Sequence, residues 1–272
     1  MADDDLADFE ETTFTFGGKT RTIFRKGTGP AVIVMAEIPG ITPKVAGFSR
    51  KVADIGCTAV MPHLFGEPGR DPSGASRGAS MVSIAKTIGP LCVSREFTMW
   101  AANKTSPVVE WLRALADHEH EVCGGPGVGA IGMCFTGGYA LAMATHPNLL
   151  APVLSQPSMP ATMTAKQRRS IDCSPEDLAI VKDRCASEGL QVLGMRFKGD
   201  KFVPPERFGF LREQLGDAFI AIELEDEHAN PDADLWPHSV VTEHLIDEEG
   251  QPTYEALGKV LDLFRSRLLV DA

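Results

Sequence analysis

The chain has 272 residues, 43% of them apolar, and a formal net charge of -11 at pH 7. That length suits one large α/β domain, and the apolar share is ample for a continuous core. The acidic balance argues against nucleic acid or an anionic membrane as partner, and no apolar run approaches the length of a membrane span.

Residues 1–12 are acidic and read as a disordered N-terminus, followed by one domain over 13–272. The opening Met-Ala-Asp-Asp-Asp-Leu has no apolar run of the secretory kind. The six cysteines (57, 92, 123, 134, 173 and 185) are scattered without metal-ligand spacing. A reduced, cytoplasmic protein without metal or other cofactor is the simplest account.

Phe14-Thr15-Phe16 and Thr22-Ile23-Phe24 flank Gly17-Gly18, which predicts an antiparallel hairpin near a sheet edge. Strands are then expected at 31–37, 58–61, 128–133, 151–154, 191–197 and 219–224. Helical patterns fall near 43–55, 106–117, 137–145, 175–187, 205–214 and 253–269. This alternation predicts a mostly parallel central sheet with helices on both faces. Ser174-Pro175-Glu176-Asp177 has the capping side chain, the early proline and the early acids of a helix start, and Gly189 suits its end. The stretch 64–80 is too rich in glycine and proline to pack as an element. Loops of that length in a compact fold are more often functional than idle.

Residues 132–138 read Gly-Met-Cys-Phe-Thr-Gly-Gly, between the apolar run 128–131 and the helix-forming 139–144. Strand, tight glycine turn and helix make the nucleophile elbow of an α/β-hydrolase, usually written G-x-S-x-G. Such a turn exposes its central side chain and aims a helix N-terminus at it, which favours thiolate over thiol. Cys134 is the candidate nucleophile. A cysteine nucleophile needs a base, and the base an orienting acid. The expected chain order is nucleophile, acid, histidine. Strand 191–197 runs into Lys198-Gly199-Asp200-Lys201-Phe202-Val203-Pro204, where Asp200 is the only carboxylate. After strand 219–224 three histidines compete, His228, His238 and His244.

Taken together these motifs resemble the dienelactone hydrolase family, small α/β-hydrolases with a Cys-His-Asp triad. The family's Gly-x-Cys-x-Gly-Gly elbow is set against residues 132–138. Its acid turn is matched by Gly199, Asp200, Val203 and Pro204. Its catalytic histidine precedes a serine, as in His238-Ser239, while His228 before Ala229-Asn230-Pro231 is the alternative. Its early glutamate motif is matched by Ala36-Glu37-Ile38-Pro39-Gly40. The resemblance covers roughly residues 30–268.

The resemblance implies a hydrolase that cleaves a small-molecule ester or lactone through a cysteine-linked acyl-enzyme. In the family the glutamate matching Glu37 contacts the resting thiol. The backbone N–H groups of Ile38 and Phe135 match its oxyanion hole. Arg95 could match an arginine that grips the substrate carboxylate, whereas the second such arginine is replaced here by Thr242, which argues against a small anionic substrate. The competing expectation is a non-catalytic or redox-sensing homologue using Cys134 as a reactive thiol. The spacing Gly127-x-Gly129-x-x-Gly132 matches a dinucleotide fingerprint, but its glycines precede or occupy the strand instead of opening a helix. His118 and His120 read as a solvated helix face, and Trp100 and Trp111 as core or pocket wall.

Overall fold

Apolar runs bounded by glycine, proline and polar turns become strands, and the central ones are apolar at every position because both of their faces are covered. The protein is described here by a computed structural model covering residues 2–72, 96–97, 103–159, 162, 164–233 and 235–270. Its strands are β1 (Glu10–Phe16), β2 (Lys19–Gly27), β3 (Ala31–Met35), β4 (Thr58–Pro62), β5 (Val128–Met133), β6 (Leu149–Ser155), β7 (Val192–Phe197) and β8 (Phe219–Leu224). They form one sheet in the order β1-β2-β4-β3-β5-β6-β7-β8. The β1–β2 hairpin and the β2–β4 pair are antiparallel, and every other pairing is parallel.

The helices are α1 (Pro43–Asp54), α2 (Val108–Cys123), α3 (Gly137–Met143), α4 (Pro175–Glu188), α5 (Pro205–Leu215) and α6 (Pro252–Leu268), with one further turn at Ala165–Arg168. The start of α4 is capped as its sequence predicts: the Asp177 N–H donates to Ser174 Oγ at 3.1 Å, and Gly189 closes it in the left-handed region. Alternate β3 residues serve two cores. Ile33 and Met35 pack with residues of α2, α3, α4 and α5, while Val32 and Val34 pack with residues of α1 and α6. This is the α/β-hydrolase architecture anticipated from the alternation.

One expectation fails at the start of the chain. Residues 2–12 do not fray: Leu6 and Phe9 are buried, and β1 already begins at Glu10. The acids that suggested a solvated tail have partners. Arg50 donates to Asp4 Oδ2 at 2.7 Å and to Asp8 Oδ1 at 2.7 Å, and its guanidinium lies over the Phe9 ring. These hydrogen bonds from Arg50 hold both carboxyls below the usual aspartate range.

After β3 the chain steps to β4 on one side, then crosses back to lay β5 on the other side of β3. The change of direction opens a crevice at the carboxyl ends of β3 and β5, the place where open α/β sheets bind ligands. Glu37 and Ile38 leave the end of β3, and Cys134 leaves the end of β5.

Candidate active site

Cys134 sits at φ 54°, the left-handed region that costs a non-glycine residue roughly 1–3 kcal/mol and persists only where its surroundings dictate it. Those surroundings are backbone. A Cβ on Gly132 would lie 2.0 Å from the Thr136 carbonyl oxygen, and one on Gly138 would lie 2.8 Å from the Asp172 nitrogen. The elbow departs from the expected pattern by one residue: Thr136 stands where the motif has its next glycine, and the glycine pair follows at 137–138. The fully buried Thr136 uses its hydroxyl to tie the elbow down. It donates toward Met35 O at 2.9 Å and accepts from the Met133 N–H at 2.9 Å, joining the ends of β3 and β5.

Asp200 leaves the end of β7 and is buried. Its Oδ2 lies 2.6 Å from His238 Nδ1, while its Oδ1 accepts the Phe202 N–H at 2.9 Å. With Nδ1–H committed to the carboxylate, Nε2 is the ring atom left for Cys134. Nε2 is buried and has no partner at normal hydrogen-bond geometry. Burial opposes a charge on the ring, but the Cys134 sulfur and the Asp200 carboxylate outweigh it and raise the His238 pKa well above the ordinary value. His228 lies in the short turn Asp226–His228 and does not pair with Asp200. His244 is buried and structural. Its Nδ1 accepts the Ser239 N–H at 3.1 Å and its Nε2 lies 3.2 Å from Leu235 O, an arrangement that fits the neutral ring which burial favours.

Glu37 is close by, but its hydrogen bonds do not run to the thiol. Ser239 Oγ and Gln156 Nε2 donate to Oε2, the latter at 3.2 Å, and Thr242 Oγ1 donates to Oε1. The expected contact between Glu37 and the resting sulfur is therefore replaced by a cage of three neutral donors. Thr242, read from the sequence as a missing arginine, is one of them. Ile38 and Phe135 lie at the same edge of the sheet, past the ends of β3 and β5. Met35 and Gly132 are register partners on adjacent strands, and Ile38 and Phe135 each lie three residues beyond that pair. Arg95 lies outside the described residues.

Two residues that the sequence reading passed over hold these parts together. Gln156 is fully buried at φ 34°; its amide reaches Glu37, and its Oε1 accepts the Val240 N–H at 3.3 Å. The available signal was a polar residue ending the apolar run of β6 at the carboxyl edge. Arg207 of α5 is also fully buried. Its guanidinium donates to the carbonyls of Phe202 and Pro157, both at 2.8 Å, and of Ser170 at 2.6 Å. Burial pulls its pKa down to about 10, and the nearby Asp200 carboxylate opposes that fall. The acid turn is thus clamped from beneath by a cation. Arg196 adds a second clamp through Val203 O at 2.8 Å.

Among the described residues no helix is long and apolar enough to cross a membrane, and no group of three or more His, Cys, Asp or Glu residues could hold a metal ion. Chemically, the site joins a half-buried elbow thiol, an imidazole oriented by a carboxylate and two candidate backbone donors at one sheet edge.

Solved structures of similar fold include a putative dienelactone hydrolase from Klebsiella pneumoniae, at 16% identity and a TM-score of 0.59, covering 94% of this chain and 97% of that one. A dienelactone hydrolase-like promiscuous phosphotriesterase from metagenomic libraries has 16% identity and a TM-score of 0.57, covering 96% and 98%. A dienelactone hydrolase from Anabaena variabilis has 14% identity and a TM-score of 0.55, covering 96% and 99%. No curated protein matches the chain. The dienelactone hydrolase family model matches residues 20–171, more than half of the sequence, and the chain belongs to that family.

Proposed function

We propose that the protein is a carboxylic ester hydrolase that works through a Cys134 acyl-enzyme. The observation that carries this reading is the 2.6 Å pairing of Asp200 with His238 Nδ1, which leaves Nε2 for the elbow thiol. In the acylation step the Cys134 sulfur, its proton held by His238 Nε2, attacks the ester carbonyl carbon. The N–H groups of Ile38 and Phe135 would hold the oxyanion. As the tetrahedral intermediate collapses, the C–O bond breaks and His238 returns the proton to the leaving alkoxide. Water then attacks the thioester with His238 as base, releasing the acid and the thiol. Asp200 keeps the ring in the required tautomer throughout.

Glu37 acts as a brace in this scheme. Its carboxylate gathers Gln156, Ser239 and Thr242, and so fixes the loop that carries His238. An uncharged acyl group suits the site better than a small anionic lactone. Thr242 cannot offer the two parallel hydrogen bonds of an arginine, and its hydroxyl is already given to Glu37.

The test is a burst of nitrophenol from a short nitrophenyl ester, with mass spectrometry of the quenched enzyme. An acyl adduct on Cys134 that forms and decays at the turnover rate supports the mechanism. Turnover without that adduct refutes the covalent step. A thiol that is alkylated readily in a protein hydrolysing no ester would leave only the redox-thiol reading.

A further inference from the structure

His238 is flanked by aromatic surface that the chemistry above does not use. The Phe202 ring meets the imidazole edge-on, with centroids 5.7 Å apart and planes at 74°. Trp236 packs on Phe202 at 5.6 Å. Both rings stay open, Phe202 at 40% and Trp236 at 47% exposure. Single exposed apolar residues are ordinary. Two large rings in contact, one of them against the candidate base, form a continuous apolar face at the site itself.

The backbone beneath these rings is fixed. The Phe202 N–H donates to Asp200 Oδ1 and its carbonyl accepts from Arg207, and the Leu235 carbonyl beside Trp236 is met by His244 Nε2. A face held in this way is pre-organised, so a ligand that covers it gains contact without first ordering it.

Position relative to the reacting atoms says which part of a substrate would lie there. His238 Nε2 must come within hydrogen-bond reach of the departing oxygen to protonate it. The substituent on that oxygen therefore sits against whatever flanks the imidazole, and Phe202 and then Trp236 are what flank it. The elbow has an aromatic group of its own, where Phe135 packs with Phe65 and Phe97.

We infer that Phe202 and Trp236 form a subsite for the leaving alcohol, selecting esters whose alcohol carries an aromatic ring. The inference rests on the ester-hydrolase reading and names the half of the substrate that is recognised.

The experiment uses three esters. Phenethyl acetate against ethyl acetate varies the alcohol, and ethyl phenylacetate against ethyl acetate varies the acyl group. The wild-type protein should favour phenethyl acetate over ethyl acetate by roughly tenfold or more in kcat/KM, the range expected of an apolar pocket. Trp236→Ala should bring that ratio close to one and leave the acyl ratio unchanged. Phe202→Ala should do the same even if both rates fall because His238 is less well held, since a positioning defect lowers both esters together. Absence of the preference in the wild-type protein, or its survival in both variants, overturns the subsite.

A binding measurement separates this failure from failure of the hydrolase reading. Phenethyl alcohol is titrated while the Trp236 indole N–H resonance, identified with Trp236→Phe, is followed. A saturable shift with phenethyl alcohol but not with ethanol keeps the subsite even if no ester is cleaved, and no shift removes it.

Discussion

Asp172 lies directly under the elbow helix, 3% exposed, against the Cα of Gly138. Burial raises its pKa to about 7, although Ser106 donates to it through both its N–H, at 2.8 Å, and its Oγ, at 2.6 Å. The folded state therefore keeps a proton on Asp172 where the unfolded chain, at the ordinary aspartate value of 3.8, has already lost it. The sign follows. Below 3.8 both states are protonated and the group is neutral for stability, whereas between 3.8 and about 7 rising pH favours the unfolded chain. Above about 7 both states are ionised and the loss is complete. At 1.36 kcal/mol per unit, the whole shift is worth about 4 kcal/mol, of which about 3 falls between pH 5 and 8. Asp172→Asn removes the titration and can keep both bonds, its oxygen accepting the Ser106 N–H and its amide donating to Ser106 Oγ. The variant should match the wild type near pH 4 and exceed it by up to about 4 kcal/mol at pH 8. Denaturant unfolding at several pH values, read as the difference between the two proteins, measures this directly. A difference that does not change with pH, or a variant less stable at pH 8, would refute the burial argument.

Cys134→Ala should lose at least about a thousandfold in kcat while remaining folded, and His238→Ala should fall to nearly the same residual rate because the groups act as a unit. His228→Ala should lose far less, and the reverse ranking in steady-state assays would move the base to His228. Glu37→Gln should leave the pH midpoint of Cys134 alkylation by iodoacetamide unchanged, since Glu37 bonds to Gln156, Ser239 and Thr242. It should cost about 1–3 kcal/mol of stability in a urea melt, and a shifted midpoint would put Glu37 back on the thiol. Arg207→Met, which takes the donor from four backbone carbonyls and removes the cation near Asp200, should move the acid limb of the kcat/KM profile to higher pH. Arg207→Lys should restore part of that shift, and two unshifted profiles would leave Arg207 as packing alone. Uncharged esters should outcompete a dienelactone of similar size in kcat/KM, and the opposite order would mean that another cation clamps the carboxylate.

The strands were readable because β3 to β7 are apolar along most of their length, a pattern that local composition carries by itself. Cys134, Asp200 and His238 were readable because each sits in a short motif with a fixed place in the chain order. The Glu37 cage was not, since its donors come from positions 156, 239 and 242 and meet only once the sheet from β3 to β8 is assembled. Arg207 looks like the polar face of a helix, and nothing local reveals that its neighbours are carbonyls. The N-terminal acids were misread because the arginine that pairs with them lies more than forty residues away, in α1. Charge was taken for solvation where it was complementarity.

That N-terminal segment is also tied to the stretch that follows β4. Asp4 donates its N–H to Gly69 O at 2.8 Å, Asp3 Oδ1 accepts the Asp71 N–H at 2.8 Å, and Gly69 in turn donates to Ile41 O at 2.7 Å, just past the β3 turn. Phe65, on the same stretch, packs against Phe135 beside Cys134. A bulky affinity tag or a trimmed amino end would therefore act on the catalytic edge through this stretch, although residues 2–9 bring no chemistry of their own. High salt should act in the same direction, because Arg50 and its two aspartates are only partly shielded from solvent. Assay ionic strength and the placement of a purification handle thus become variables of the active site.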